Sequence, residues 1–314
     1  MSEIYNLLAC PLNNEKLTFN DKISCKEEVY KQNENNTFLL INKKNYTDDE
    51  YKELKNTIDF WNSGWKKRYD EHSFFLNMNK ENLKNYILNA INKNNDFEDF
   101  WTNEIDKEWL KNKIGINIGA GCGQEAVSLI YGGSKLVYAM DITEEACKMT
   151  EIVSKNIDED KKIVTIQGDA RFVPLLSNSL DYVFSHGVIH HSKKIDKSID
   201  EVFRVLKPGG KAFISFYYKY SSTFLKLRLS GFLKGYFSNK SYQSYLNKRT
   251  EQAWISDGKK NVYTATLTES DLLSLFNKFS NVRIRKAGFA LPSFIPFSEK
   301  IEKIFRRTIF SKTF

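Results

Sequence analysis

The 314-residue chain reads as an α/β protein built on a mostly parallel, doubly wound sheet, and three observations carry that reading. The run Ile116-Asn117-Ile118-Gly119-Ala120-Gly121-Cys122-Gly123-Gln124-Glu125-Ala126 takes an apolar strand through three alternating glycines into a helix. Leu136 to Met140 is a second strand-like run, closed by Asp141 about 20 residues past the first glycine. Further strand-like runs follow at Ile163 to Ile166, Leu180 to Phe184 and Lys211 to Phe216, with a helical pattern at Ile199 to Leu206 before the last.

The glycine turn comes first. With no Cβ at 119, 121 and 123 the backbone can bend sharply and let a ligand approach closely, as a nucleotide-cradling turn requires. Asp141 stands where a carboxylate can accept both ribose hydroxyls. The dinucleotide fingerprint needs G-x-G-x-x-G, and Gln124 occupies its last position, which leaves G-x-G-x-G. Pyrophosphate recognition relies on that helix-entering glycine. A dinucleotide is therefore disfavoured and a ligand without phosphates favoured.

The turn resembles motif I of the class I S-adenosylmethionine-dependent methyltransferases, and three further segments fall in that family's order. Gly168-Asp169-Ala170 follows the third strand, Ser185-His186-Gly187-Val188-Ile189-His190-His191 follows the fourth, and Lys207-Pro208-Gly209-Gly210 closes the helix before the fifth. Pro and paired Gly stop a helix and turn the chain. Together they span residues 113–217. The resemblance implies a Rossmann-like fold with S-adenosylmethionine held by Asn117, Gly119, Ala120, Gly121, Gly123, Asp141, Ile142, Asp169, Ala170, Ser185 and His186, where Asp169 would meet the adenine amino group. One position departs from the family, which usually carries Asp or Glu two residues before the first glycine; here it is Asn117, able to hydrogen-bond but uncharged.

The flanking segments read as additions to that core. Leu7-Leu8-Ala9-Cys10-Pro11 and Ile23-Ser24-Cys25 resemble the two knuckles of a small zinc ribbon, but Asn13 and Glu28 stand where the second cysteine of each knuckle belongs. A tetrahedral site cannot be completed, so residues 1–47 are expected to be a ribbon-like module without metal. The alternative is two unrelated cysteines. Residues 48–112 carry apolar side chains at helical spacing, Leu54, Ile58, Trp61 and Trp65 among them. They are expected to form helices that cover the cofactor, with Trp65 and Tyr69 toward substrate, unless the two Trp only fill a helix–sheet interface. Tyr217, just past the fifth strand, is a third candidate on the substrate side.

Four histidines occur, three of them at 186, 190 and 191. Ligands of open α/β sheets sit outside the carboxyl ends of the strands, so His190 and His191 fall where acceptor would meet the methyl group. An imidazole titrating near neutrality suits removal of a proton from a hydroxyl, an amine or an acidic carbon. Either may instead be structural, one capping the loop and one lining the pocket. The same loop lacks the Asn/Asp-Pro-Pro-aromatic run that clasps a flipped base, and no Pro-Cys pair serves pyrimidine attack.

The formal net charge of +8 is uneven: residues 211–314 hold 19 Lys and Arg against 6 Asp and Glu. No acid occurs from Lys211 to Thr250, where Phe224, Leu225, Leu227, Leu229, Phe232, Leu233, Tyr236 and Phe237 form a dense apolar set. Residues 218–314 are thus expected to supply a basic, aromatic lid or a face for anionic lipid, followed by a helix at Thr268 to Phe279, a sixth strand at Val282 to Lys286 and a basic amphipathic helix at Phe294 to Phe314. Packing against the body or a partner subunit is the alternative. No stretch approaches the ~20 apolar residues of a membrane span, no leader pattern is visible, and the four scattered cysteines fit a reducing compartment. The expectation is a cytoplasmic or membrane-peripheral enzyme with a small-molecule or lipid-like acceptor, a homodimer among its options, and nucleic acid disfavoured. The competing readings are a regulatory protein that binds the cofactor without transfer, and an RNA-directed methyltransferase.

Overall fold

The computed structural model describes residues 5–26, 28–34, 36–71, 78–85, 105–157, 162–251 and 261–286, apart from the side chains of 69–71. Its strands are β1 (Thr18–Phe19), β2 (Ile23–Cys25), β3 (Glu28–Gln32), β4 (Phe38–Leu39), β5 (Ile114–Ile118), β6 (Leu136–Asp141), β7 (Ile163–Gln167), β8 (Leu180–Ser185) and β9 (Leu206–Ile214). The helices are α1 (Asp48–Glu71), α2 (Lys107–Leu110), α3 (Gln124–Tyr131), α4 (Glu144–Ile157), α5 (Ile195–Val205), α6 (Ser222–Leu233), α7 (Asn239–Arg249) and α8 (Glu269–Leu275).

Strand β6 is apolar on both faces up to Asp141, while β5 presents Ile114, Ile116 and Ile118 on one face and Gly115 and Asn117 on the other. All six residues of β6 are buried, as expected of a parallel strand covered on both sides. Leu136, Tyr138 and Met140 pack into one core cluster and Val137 and Ala139 into another, the period-two signature of a two-faced strand. The sheet order is β1-β2-β3-β4-β7-β6-β5-β8-β9, and every pairing from β4 to β9 is parallel. The order reverses at β5, which pairs with β6 on one side and β8 on the other. That reversal opens the crevice in which ligands of such sheets bind.

Helix α5 buries Ile195, Ser198, Ile199, Val202 and Val205, a helical stripe against the sheet. It starts four residues before the expected helix and ends at Val205. Lys207-Pro208-Gly209-Gly210 is then an irregular part of β9, where the register shifts between Leu180↔Leu206 and Tyr182↔Lys211.

The N-terminal strands continue the sheet. β1, β2 and β3 form an antiparallel meander, and β4 pairs with β7 through Phe38↔Ile166 and Leu39↔Gln167. The two knuckle segments do meet: the Cys10 thiol lies 3.1 Å from the Tyr30 hydroxyl, and Cys25 donates to Asn13 Oδ1 at 3.4 Å. Burial pushes the Cys25 thiol up to about 11, so it stays a neutral donor. Asn42 donates to Glu28 at 2.9 Å and to the Tyr30 hydroxyl at 3.1 Å. These hydrogen bonds tie the segments together, and among the described residues no cluster of three His, Cys, Asp or Glu could hold an ion.

The expected sixth strand over 282–286 does not form; those residues run without regular structure. Alternation of Val282 and Ile284 with Arg283 and Arg285 marks faces, but a strand also needs a ladder partner, and no described strand pairs there. The C-terminal basic segment, 294–314, lies outside the described residues. No described helix is long and apolar enough to cross a membrane.

Candidate active site

The turn after β5 is shaped by its glycines. Gly119, Gly121 and Gly123 have φ of 75°, 55° and 82°, the left-handed region that side chains disfavour. A Cβ at Gly119 would stand 2.1 Å from Val188 Cγ2, and one at Gly121 would stand 2.7 Å from the Trp65 ring. The turn is therefore roofed by the β8 loop on one side and by α1 on the other. The N–H groups of Gly119 and Ala120 both donate to the Met140 carbonyl, at 2.7 and 3.0 Å, which pins the turn to the end of β6.

Asp141 ends β6 beside that turn. Its Oδ2 accepts from Gly121 N–H at 3.1 Å, and its Oδ1 from Thr143 N–H and hydroxyl at 2.9 and 2.8 Å. Burial raises its pKa, and those hydrogen bonds oppose the rise. Oδ1 already accepts two donors, and Oδ2 keeps capacity for one more. The next carbonyl, Ile142, accepts from Gln167 at 3.2 Å. Asn117 is fully buried, yet neither its Oδ1 nor its Nδ2 has a partner. Such orphans are rare in cores, and a bound ligand is one source of the missing bonds.

Asp169 is occupied differently. Arg171 donates through its backbone N–H at 2.8 Å, through Nε at 3.1 and 3.0 Å, and through Nη2 at 2.7 Å, while Tyr46 donates its hydroxyl at 3.0 Å. Four donor groups meet the roughly four lone-pair sites of one carboxylate, so an adenine amino group there has to displace one of them. Ala170 lies between these two residues, half-buried. At the end of β8, Ser185 donates to the Ile118 carbonyl at 3.1 Å, tying β8 to β5, and His186 Nδ1 stands 3.5 Å from Glu125.

The histidine pair sits on a 3-10 turn, Ile189–His191. His190 is fully buried, with both ring nitrogens unpartnered and its ring 4.0 Å from that of Tyr217. Burial, aided by His191, holds it well below the ordinary histidine value; the nearby Ser215 backbone pulls the other way without reaching hydrogen-bond geometry. His191 has a defined role for each nitrogen. Its Nδ1 lies 3.1 Å from the Tyr263 carbonyl, which can only accept, and 3.3 Å from the Thr264 hydroxyl; the shorter carbonyl contact favours the neutral tautomer with its proton on Nδ1. Its Nε2 then presents a lone pair 3.9 Å from Glu251 Oε1. Burial lowers the His191 pKa and Glu251 opposes that shift.

Glu251 also accepts from the Tyr217 hydroxyl at 2.6 Å, from a backbone held at φ 60°. A left-handed glutamate costs on the order of 1 kcal/mol and is kept where the surroundings over-determine it. The Trp61 ring packs edge-on against His191 at 4.9 Å.

Of the residues expected on the substrate side, Tyr217 adjoins the histidines, whereas Trp65 lies on the glycine turn; the Tyr69 side chain falls outside the described residues. Glu251, Trp61, Tyr46 and Arg171 were not legible as site residues. Glu251 left one trace, since it is the first acid after the acid-free stretch.

A glycine turn at the order reversal, an acid closing the next strand and a histidine loop after the fourth are the features the resemblance to class I S-adenosylmethionine-dependent methyltransferases implies. Residues 116–214 match the family described as a methyltransferase domain. An uncharacterized chloroplastic methyltransferase of Arabidopsis thaliana is 32% identical over 114 residues, covering 34% of this chain and 32% of the relative. Sterol 24-C-methyltransferase of Schizosaccharomyces pombe is 31% identical over 97 residues, covering 30% of this chain and 25% of the relative. The chain thus spans a third or less of these two relatives. A solved structure described as a putative methyltransferase of Bacillus halodurans aligns at a TM-score of 0.40 and 18% identity, over 55% of this chain and 67% of that one. The cofactor of the class, S-adenosylmethionine, fits the residues present: a cradle that any Cβ would fill, an orphaned buried amide and a carboxylate with capacity to spare.

Proposed function

We propose that the chain transfers a methyl group from S-adenosylmethionine to a small-molecule or lipid-like acceptor. The observation that carries the proposal is the placement of two chemically different half-sites at the carboxyl ends of β5, β6 and β8. One half holds cofactor: the glycine turn, Asp141 for the ribose hydroxyls, Asn117 Oδ1 for the ammonium of the methionine end, and Trp65 as the roof. Asp169 would meet the adenine amino group if the Tyr46 hydroxyl gave way. When bound, the cofactor supplies an electrophilic methyl group on a sulfonium.

The other half handles the acceptor. Nε2 of His191 would take the proton of an acceptor hydroxyl, amine or acidic carbon as the nucleophile bonds to the methyl carbon and the carbon–sulfur bond breaks to leave a neutral thioether, and Glu251 would stabilise the imidazolium. Tyr217 and Trp61 fix the positions of Glu251 and the ring. Alignment in a dry cavity supplies much of the rate gain in such displacements. His190, sealed and neutral, serves packing. That a relative is a sterol methyltransferase supports a lipid-like acceptor.

The test is transfer of labelled methyl into an extract, fractionated into organic, small polar, RNA and protein pools. Label in the organic or small polar pool is expected. Label in RNA would favour the RNA-directed reading. No label, with cofactor binding seen by calorimetry, would favour a regulatory binder, for which the uncharged Asn117 is the motivating residue.

A further inference from the structure

Helix α6 is apolar on both faces, and only one is covered. Phe224 and Gly231 are its buried residues. A Cβ at Gly231 would lie 3.1 Å from the Tyr245 ring of α7, so the inner face packs closely and is accounted for. On the outer face Leu225, Leu229, Phe232 and Leu233 are exposed at 46%, 61%, 58% and 76%, and Phe237 just beyond the helix at 72%. Positions 225, 229, 232 and 233 form one stripe at about 100° per residue, and the same geometry sets Lys226 on one flank and Arg228 on the other. Both cations are exposed, as are Lys234 and Lys240. Arg228 and Lys234 lie over the Tyr242 and Tyr245 rings at 5.7 and 5.8 Å, and residues 211–250 contain no acid.

We propose that this face docks on an anionic phospholipid surface, with the α6 stripe inserted among acyl chains and Lys226, Arg228, Lys234 and Lys240 against the headgroups. The charge selects an anionic partner. The apolar tips favour lipid over nucleic acid: Leu225, Leu229 and Leu233 have no ring to stack on a base, the rings of Phe232 and Phe237 pack edge to face on each other at 5.2 Å, and a bilayer interface accepts all five between its headgroups and chains. The inner side of the same helix leads to the site: Phe224 packs on Tyr217 at 5.2 Å, and Tyr217 on His190 at 4.0 Å. A packed chain of rings thus joins the docking face to the histidine turn; the docking itself does not rest on the proposed function.

The experiment is flotation of the full chain with vesicles of phosphatidylcholine, alone or with phosphatidylglycerol replacing part of it. Binding to the anionic vesicles only is expected, weakening as salt rises. Joint substitution of Leu229→Gln, Phe232→Ser and Leu233→Gln is expected to lower binding tenfold or more, on the order of the loss from three exposed apolar anchors. Joint Lys226→Gln and Arg228→Gln is expected to lower it about 20-fold, near fivefold per cation. Calorimetric binding of S-adenosylmethionine, measured on each variant, shows that the fold and cofactor half-site survive. No vesicle binding, equal binding to neutral vesicles, or unchanged binding by the triple variant would overturn the proposal. So would a dimer in solution that the triple variant converts to monomer without any vesicle binding. Failure of methyl transfer with vesicle binding intact would sink the catalytic reading and leave this one standing.

Discussion

Asp141 and Gly121 meet through one hydrogen bond, and each can be tested separately. Asp141→Ala removes the acceptor for Gly121 N–H together with the ribose contact. The Kd for S-adenosylmethionine is expected to rise tenfold or more by calorimetry, in line with about 1.5–3 kcal/mol for hydrogen bonds to a charged group. Gly121→Ala meets the Trp65 ring at 2.7 Å and a φ of 55°; a loss of about 1–3 kcal/mol in stability and of cofactor affinity is expected. At His191 the active form is the neutral one, so turnover falls as pH drops through its pKa. Burial places that pKa below the ordinary histidine value, so the acid limb of kcat is expected below pH ~6.5. Glu251→Gln removes the charge that holds the pKa up; the limb should move to still lower pH while the maximum falls. An unchanged limb in that variant would remove Glu251 from the mechanism. These residues differ in how visible they were beforehand. The glycines and Asp141 are legible because a backbone conformation and a strand end dictate them locally. Glu251 is not, because it meets His191 and Tyr217 only after 60 and 34 residues of chain have folded back.

Helix α1 carries two tryptophans four residues apart, and the structure sends them to different half-sites. Trp65 lies on Gly121 and Trp61 on His191. Trp65→Ala is expected to raise the Kd for cofactor severalfold. Trp61→Ala is expected to leave that Kd within about twofold and to lower kcat/KM about tenfold or more, as small misplacements of a reacting group do. Equal effects of both changes on cofactor binding would mean that α1 acts as a single lid. Salt bridges of Lys193 with Glu53 and of Lys194 with Glu50 join the helix to the histidine loop, but exposed pairs contribute little, so the aromatic contacts should dominate. At this scale strands β5 to β8 could be read from continuous apolar runs bounded by turns, since burial on both faces leaves that pattern. The sixth strand could not. Its alternating sequence was real, and the missing partner strand is a property of the folded sheet rather than of the segment. The start of α5 was missed because Ile195 and Ser198 bury a helical turn that begins before the apolar residues become dense.

The whole molecule turns on how the N-terminal meander joins the methyltransferase sheet. Its sequence suggested a separate ribbon, since two knuckles and a lost metal site describe a self-contained unit. In the structure β4 lies against β7, Leu8 bridges to Leu175, and Ala9 donates to the Pro174 carbonyl at 2.9 Å. Leu8, Leu17, Cys25, Phe38 and Leu40 belong to the same buried cluster as Ile116, Met140 and Ile166. Hydrogen bonding among Cys10, Tyr30, Asn42 and Glu28 ties the two knuckle segments together. Deleting residues 1–47 would strip several large side chains from one core, each worth about 2–5 kcal/mol when truncated, and would leave β7 as a bare apolar edge prone to association. The full chain is therefore expected to unfold in one cooperative calorimetric transition, while the truncated chain is expected to aggregate or to lose well over 10 °C in Tm, since a few °C accompany each kcal/mol lost. A truncated chain that kept its Tm and its affinity for S-adenosylmethionine would show that the meander is a separate module whose contacts with the sheet contribute nothing to stability.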